Sequence, residues 1–148
     1  MKYLTSNGQK KLMEELAYLT KIKRVELAKQ LEFATSLGDL RENSEYDAVC
    51  EDFIHTENRI YELEKKLNES KIYIKKNNNK VEIGSKVKIE IEDEIETYQI
   101  VGINEADIQN NKISYESPLG KALLNRRIND TVLVDVINPY NVKIIEIN

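Results

Sequence analysis

The sequence predicts an α+β chain: an N-terminal antiparallel α-helical coiled-coil hairpin, then a small β-rich domain with one short helix. Three observations carry this expectation. Apolar residues recur at helical spacing over most of residues 5–74, broken once at Gly38. Beyond a polar run at 75–80 the period changes to strand-like alternation. Hydrophobic residues make up 41% and charged residues 32%, a balance that suits a long exposed helical element with a narrow apolar seam.

Met1 to Thr5 reads as a short lead-in, with Thr5 or Ser6 as the helix cap. From there to about Leu37 there is no proline, and the only glycine is Gly8. Leu12, Leu16 and Leu19 form a helix face; the stripe is irregular over Lys23–Glu26 and resumes at Leu27, Leu31 and Ala34. A helix of ~30 residues is about 45 Å long. Gly38 ends it, as glycine does after a helix C-terminus. The second stripe is more regular. Tyr46, Phe53, Ile60, Leu67 and Ile74 recur every seven residues, with Val49, Thr56, Leu63 and Ser70 between them. Two helices of similar length joined by a short turn predict a hairpin over 1–75, its acidic tip at 38–47. Lys75 to Lys80, with Asn77, Asn78 and Asn79, reads as a linker, assigned to 76–80. The domain over 81–148 then follows. Lys86–Ile91 and Glu96–Val101 are strands around an Asp93-Glu94 turn, and Lys112–Tyr115 is a short strand. Ser117-Pro118 opens a helix to Leu124. Strands at Thr131–Ile137 and Val142–Ile147 flank an Asn138–Asn141 turn.

The totals exclude several classes. Net charge is −4, so the chain is not built to coat nucleic acid; any such contact is local or goes through a partner. Cys50 is the single cysteine, which excludes an internal disulfide and a cysteine-based zinc site. The N-terminus lacks an apolar signal core and no run approaches ~18 apolar residues, so the expected location is cytoplasmic, away from membranes.

The acidic turn is either ordinary helix capping or a chemical tip. Gly38 to Asp52 carries Asp39, Glu42, Glu45, Asp47, Glu51 and Asp52 against one base, Arg41. Capping is one explanation: Asp39-x-x-Glu42 and Ser44-x-x-Asp47 both have capping-box spacing, and the helix dipole favours carboxylates there. A functional explanation concerns Asp39 and Glu42 as oxygen ligands for Mg²⁺. Two carboxylates alone make a poor site for an ion that wants six oxygens, and His55 is the only histidine. The tip therefore reads as half a site, carried on a narrow arm to a partner that already holds Mg²⁺.

The segment Gly38-Asp39-Leu40-Arg41-Glu42-Asn43-Ser44-Glu45-Tyr46-Asp47-Ala48 closely resembles the tip signature of the Gre family, the bacterial transcript-cleavage elongation factors, GreA type. Val101–Ile108 and Ile113–Leu124 resemble the two C-terminal motifs of that family, and Gly8–Leu19 its opening helix. The resemblance implies an FKBP-like C-terminal domain that docks on the rim of the secondary channel of bacterial RNA polymerase, on the β′ subunit, while the hairpin enters the channel. It implies that Asp39 and Glu42 help place Mg²⁺ and water at the polymerase active centre, where the nascent RNA 3′ end of a backtracked complex is hydrolysed. The chain is then no enzyme itself and has no cofactor of its own or stable metal; Mg²⁺ belongs to the polymerase. Arg41, Asn43, Glu45 and Tyr46 match tip-supporting positions. Glu116, Ser117 and Pro118 match the polymerase-binding loop. Asp107 falls in a motif assigned to fold and packing. The expected form is a monomer.

Two departures stand out. A basic patch common on the hairpin of such factors is replaced by neutral Thr35 and Cys50, leaving Arg41 and Lys29 for transcript contact. The asparagine-rich linker reads as compositional bias. Other readings are a channel binder that modulates or inhibits polymerase without cleavage, and a free-standing phosphodiesterase, which the shortage of ligands disfavours. A prolyl isomerase is disfavoured because only Tyr98, Tyr115 and Tyr140 supply aromatics beyond the linker. A plain coiled-coil adaptor leaves the acidic tip and the C-terminal motifs unexplained.

Overall fold

The computed structural model describes residues 2–38 and 43–148. Helix α1 (Ser6–Tyr18) runs into a π-helical segment, Leu19–Lys23, and on into α2 (Arg24–Ser36). Thr5 is the cap: its hydroxyl accepts from Gly8 N at 3.0 Å. The π segment explains the irregular stripe. A heptad seam through Leu12, Leu16, Leu19 and Lys23 would continue at 26, 30 and 33; the apolar residues instead sit one place later, at Leu27, Leu31 and Ala34. One extra residue taken up by i→i+5 bonding restores the face. Leu27 and Ala34 are buried, as that shift requires.

The returning arm is α3 (Ser44–Glu69), with Thr56, Ile60 and Leu63 buried along its seam. The arms are antiparallel: Glu15, early in the first arm, has its partner further along α3 than Lys23 and Arg24 have theirs. Glu15 pairs with Arg59, Arg24 with Glu57 and Lys23 with Asp52. At the far end Ala34 O accepts from the Asn43 amide. The heptad expectation overran the helix: α3 stops at Glu69, Ser70 opens a strand, and Ile74 is 80% exposed. The cause is a competing partner. Residues 70–72 form β2 (Ser70–Ile72), which pairs in parallel with β1 (Lys2–Leu4), so the expected lead-in is a strand.

Two compact units result, Lys10–Glu69 and Met1–Gln9 with Ser70–Asn148. That division differs from the expected break at 75/76, because the β1–β2 pair belongs with the second unit. The 76–80 stretch is also tied there. Glu82, only 4% exposed, accepts backbone hydrogen bonds from Lys76 and Asn77. Asn77 and Asn79 have φ of 49° and 61°. Asparagine tolerates this left-handed region better than most residues, which supplies a physical reason for the asparagines.

The second unit carries a five-stranded sheet in the order β5-β4-β3-β7-β6. Its strands are β3 (Lys86–Ile91), β4 (Glu94–Val101), β5 (Lys112–Ser114), β6 (Thr131–Val134) and β7 (Tyr140–Ile147). All neighbours are antiparallel except β4 and β5. The β3–β4 turn centres on Glu92 and Asp93, one residue earlier than expected, with φ of 48° and 68°. Two left-handed residues match the twist of a tight hairpin. Strand β6 ends three residues short of the expected Ile137, and β7 starts at Tyr140 rather than Val142. Alternation does the rest: Val87 and Ile89 of β3, Val132 and Val134 of β6, and Val142 and Ile144 of β7 point into one core, closed by Leu123 of α4 (Pro118–Leu123).

Candidate functional site

The hairpin end is built from Leu37, Gly38 and Asn43 outward. Leu37 closes α2 with its N–H on Ala34 O, and Gly38 leaves with φ of 116°, a conformation that favours glycine. Asp39, Leu40, Arg41 and Glu42 lie outside the described residues, so the expected carboxylate pair, the Arg41 contact and the Asp39–Glu42 capping box lie there too. Asn43 is where the described chain resumes, and it caps α3. Its Oδ1 accepts from Tyr46 N at 3.1 Å, and its carbonyl accepts from Asp47 N. The expected Ser44–Asp47 box is therefore corrected by one residue, Ser44 being the first residue inside the helix. The other half of the Asn43 amide donates to Ala34 O at 2.7 Å. One side chain thus satisfies an orphan donor of one helix and a last-turn carbonyl of the other.

Glu45 is exposed in the first turn of α3, and Tyr46 is half-buried. The Cys50 thiol beside it, one turn on, raises the Tyr46 phenol above its ordinary value. Lys29, Gln30, Phe33, Ala34, Glu45, Ala48 and Val49 line a largely apolar groove of about 440 Å³. Phe33 is 61% exposed there, and Lys29 supplies a cation at the wall. Thr35 turns its hydroxyl back onto Leu31 O. His55 is exposed, 3.8 Å from Glu51. Among the described residues no group of three or more histidine, cysteine or carboxylate side chains is placed to hold a metal.

The second candidate lies in the other unit, at the turn into α4. Ser117 caps that helix: its Oγ accepts from Gly120 N at 3.0 Å and donates to Ser114 O at 2.6 Å. Its hydroxyl is thus committed within the domain, and its work is to shape the loop. Pro118 follows at the first helical position, where its missing N–H costs nothing. Glu116 and Pro118 are exposed, and they line a groove of about 320 Å³ together with Lys121, Ala122, Leu133 and Asp135. Leu133, on the outward face of β6, is 60% exposed. The sequence pattern singles out Glu116 and Pro118, and the fold sets Leu133 and Asp135 beside them in this groove. Strand alternation marks Leu133 as outward-facing, but the packing of α4 beside β6 carries no local signal. Asp107 has the structural role expected. It caps a 3₁₀ turn, accepting from Gln109 N and the Asn110 amide, and the Asn110 bond holds its carboxyl below the usual range.

Comparison with known proteins gives the family. Residues 2–72 match the family model "Transcription elongation factor, N-terminal", and residues 76–148 match "Transcription elongation factor, GreA/GreB, C-term". The chain belongs to the GreA/GreB family. Within that family it is similar to the transcription elongation factor GreA of Caldanaerobacter subterraneus subsp. tengcongensis, 44% identical over 97% of this chain and 95% of that protein. GreA of Thermoanaerobacter pseudethanolicus is 46% identical over 90% of this chain and 87% of its own. Among solved structures, the GreA factor homolog Gfh1 of Thermus thermophilus is 28% identical, covering 99% of this chain and 97% of that one, with a TM-score of 0.46. GreA/GreB proteins are transcription elongation factors, and this chain is one of them. No helix among the described residues is long and apolar enough to cross a membrane.

Proposed function

We propose that this elongation factor acts on backtracked bacterial RNA polymerase, stimulating the polymerase's own hydrolysis of the RNA 3′ end. The observation that carries the reading is the tip: Asp39 and Glu42 stand between two helices whose ends are tied by Asn43, in a family of elongation factors. The hairpin is slender enough to enter a channel. Asp39 and Glu42, ionised at neutral pH, would lend carboxylate oxygens at the polymerase active centre and orient water there. Mg²⁺ held by the polymerase supplies the Lewis acidity in two-metal hydrolysis. Asn43 keeps the two helix ends together, and Glu45 and Tyr46 shape the first turn behind the tip. Glu116, Pro118, Lys121, Ala122, Leu133 and Asp135 form the docking groove, an apolar strip edged by two acids and one base and suited to a helix with an apolar face and charged flanks on the channel rim. In this reading the chain is a stimulator with no cofactor of its own.

The test uses stalled, backtracked elongation complexes with labelled RNA. Wild-type chain should release short 3′ fragments. Asp39→Asn and Glu42→Gln should still bind polymerase and lose cleavage by about 100-fold or more, the scale of a misplaced catalytic group. Pro118→Ala should do the reverse, raising the concentration needed while leaving the maximal rate intact. Normal cleavage by both tip variants rejects the assignment. Cleavage of free RNA without polymerase would favour the phosphodiesterase reading instead.

A further inference from the structure

Glu105 lies in the stretch linking β4 to β5, one hundred residues from Thr5, yet its carboxylate sits at the root of the first arm. Oε2 accepts from Thr5 N at 3.0 Å and from Gly102 N at 3.1 Å. Oε1 accepts from the Thr5 hydroxyl, which in turn accepts from Gly8 N and so caps α1. Two glycines make room for this. A Cβ on Gly8 would overlap the Glu105 carboxylate, and one on Gly102 would overlap Tyr3 O and crowd the same carboxylate. Neither glycine has a positive φ, so the requirement is space and not backbone conformation.

A second link reaches the same root from the docking loop. Tyr115 directly precedes Glu116. Its hydroxyl accepts from Tyr3 N at 3.3 Å, and the two rings meet edge-on with centroids 6.2 Å apart. Tyr115 N donates to Val101 O at 3.0 Å, beside Gly102. The start of α1 and the loop of the docking groove are therefore fastened to one another through Glu105, Thr5, Tyr3 and Tyr115, all within one compact unit.

We infer that Glu105 is a positioning residue for transcript cleavage: it fixes the first turn of the arm on the same piece of structure that carries the docking loop. The inference rests on the functional reading above. Effective catalysis by a group on a long arm depends on how firmly its root is held, since a displacement of about 1 Å at the reacting centre costs about 100-fold. Three charge-assisted bonds to one carboxylate make a firm root.

Full-length Glu105→Ala, Glu105→Gln and Tyr115→Phe are titrated into backtracked complexes, with maximal cleavage rate and half-saturating concentration read separately. Glu105→Ala should lower the maximal rate about 10- to 100-fold and leave the half-saturating concentration within about two-fold, because the docking groove is untouched. Glu105→Gln should recover most of the rate, since an amide oxygen still accepts from Thr5 N and Gly102 N. Amide exchange at Gly8 and Gln9, measured without polymerase, should be faster in Glu105→Ala than in wild type. Wild-type rate at saturation in Glu105→Ala overturns the inference. So does a loss confined to half-saturation, or unchanged exchange at Gly8. Should Glu105→Ala fail to fold by circular dichroism, Tyr115→Phe decides, with a few-fold loss of maximal rate supporting the inference and a wild-type rate overturning it. A wild-type chain that stimulates no cleavage rejects the functional reading and the role of Glu105 in it, while faster exchange at Gly8 would still uphold the anchor itself.

Discussion

In the hairpin unit, Lys10–Glu69, the buried residues among those described are Leu27, Ala34, Thr56, Ile60 and Leu63, and one of these is a threonine. In the C-terminal unit, nine apolar side chains from Val81 to Ile144 pack into one cluster. The hairpin compensates with directional contacts. Arg59 grips Glu15 through two bonds of 2.7 and 2.9 Å, and Arg24 grips Glu57 the same way at 2.7 and 3.0 Å. A two-helix arm has no third layer to bury against, so its register is set by charge pairs and by a narrow seam. The sheet domain has a third dimension to fill, and packing defines it.

The comparison breaks most sharply on core truncation. Ile144→Ala should cost about 2–5 kcal/mol, measured by denaturant unfolding of the C-terminal unit, because the sheet and α4 hold a cavity open. Leu63→Ala should fall at the low end of that range, since two helices can close together over the gap. An equal or larger loss at Leu63 would mean the seam is packed as rigidly as the core. The next effect is at the hairpin end. Asn43→Ala removes a cap and leaves Ala34 O with one partner fewer, and should cost about 1–2 kcal/mol, read from faster amide exchange at Tyr46 and Asp47. The smallest is electrostatic. The Arg59 hydrogen bond holds the Glu15 carboxyl below its ordinary value, with the nearby charges of Arg59 and Lys66 adding to it. A depressed carboxyl stabilises the folded arm above the unfolded value near 4.5 and loses that contribution as pH falls through the lower folded value. Hairpin stability should therefore drop below pH 4.5, and Glu15→Gln should flatten that drop. A flat acid limb in wild type would show that the pair is fully screened by solvent.

Much of this was legible locally. The seam of α3 follows from the seven-residue spacing of Tyr46, Phe53 and Ile60, and the alternation of β3 and β6 reads directly. The failures share a cause. Ser70 to Ile74 continue the heptad on paper, but β1 captures residues 70–72 from sixty-eight positions away. Glu92 replaces Glu94 in the β3–β4 turn because non-glycine residues adopt left-handed φ there. Leu133 and Asp135 join Glu116 only through packing of α4 beside β6. The Glu105 anchor joins residues whose local patterns show no relation. Asp39 and Glu42 emerge from family likeness, as local spacing serves capping equally well.

The π segment at Leu19–Lys23 has a consequence for how this arm tolerates changes in length. Dropping a residue elsewhere in a continuous helix rotates everything downstream by about 100° and swings the apolar face away from its partner. Within Leu19–Lys23 the opposite holds: one residue fewer turns the segment into ordinary α-helix and leaves Leu27, Leu31 and Ala34 in step with Leu12, Leu16 and Leu19. The arm carries its own slack, one residue long, at a fixed address.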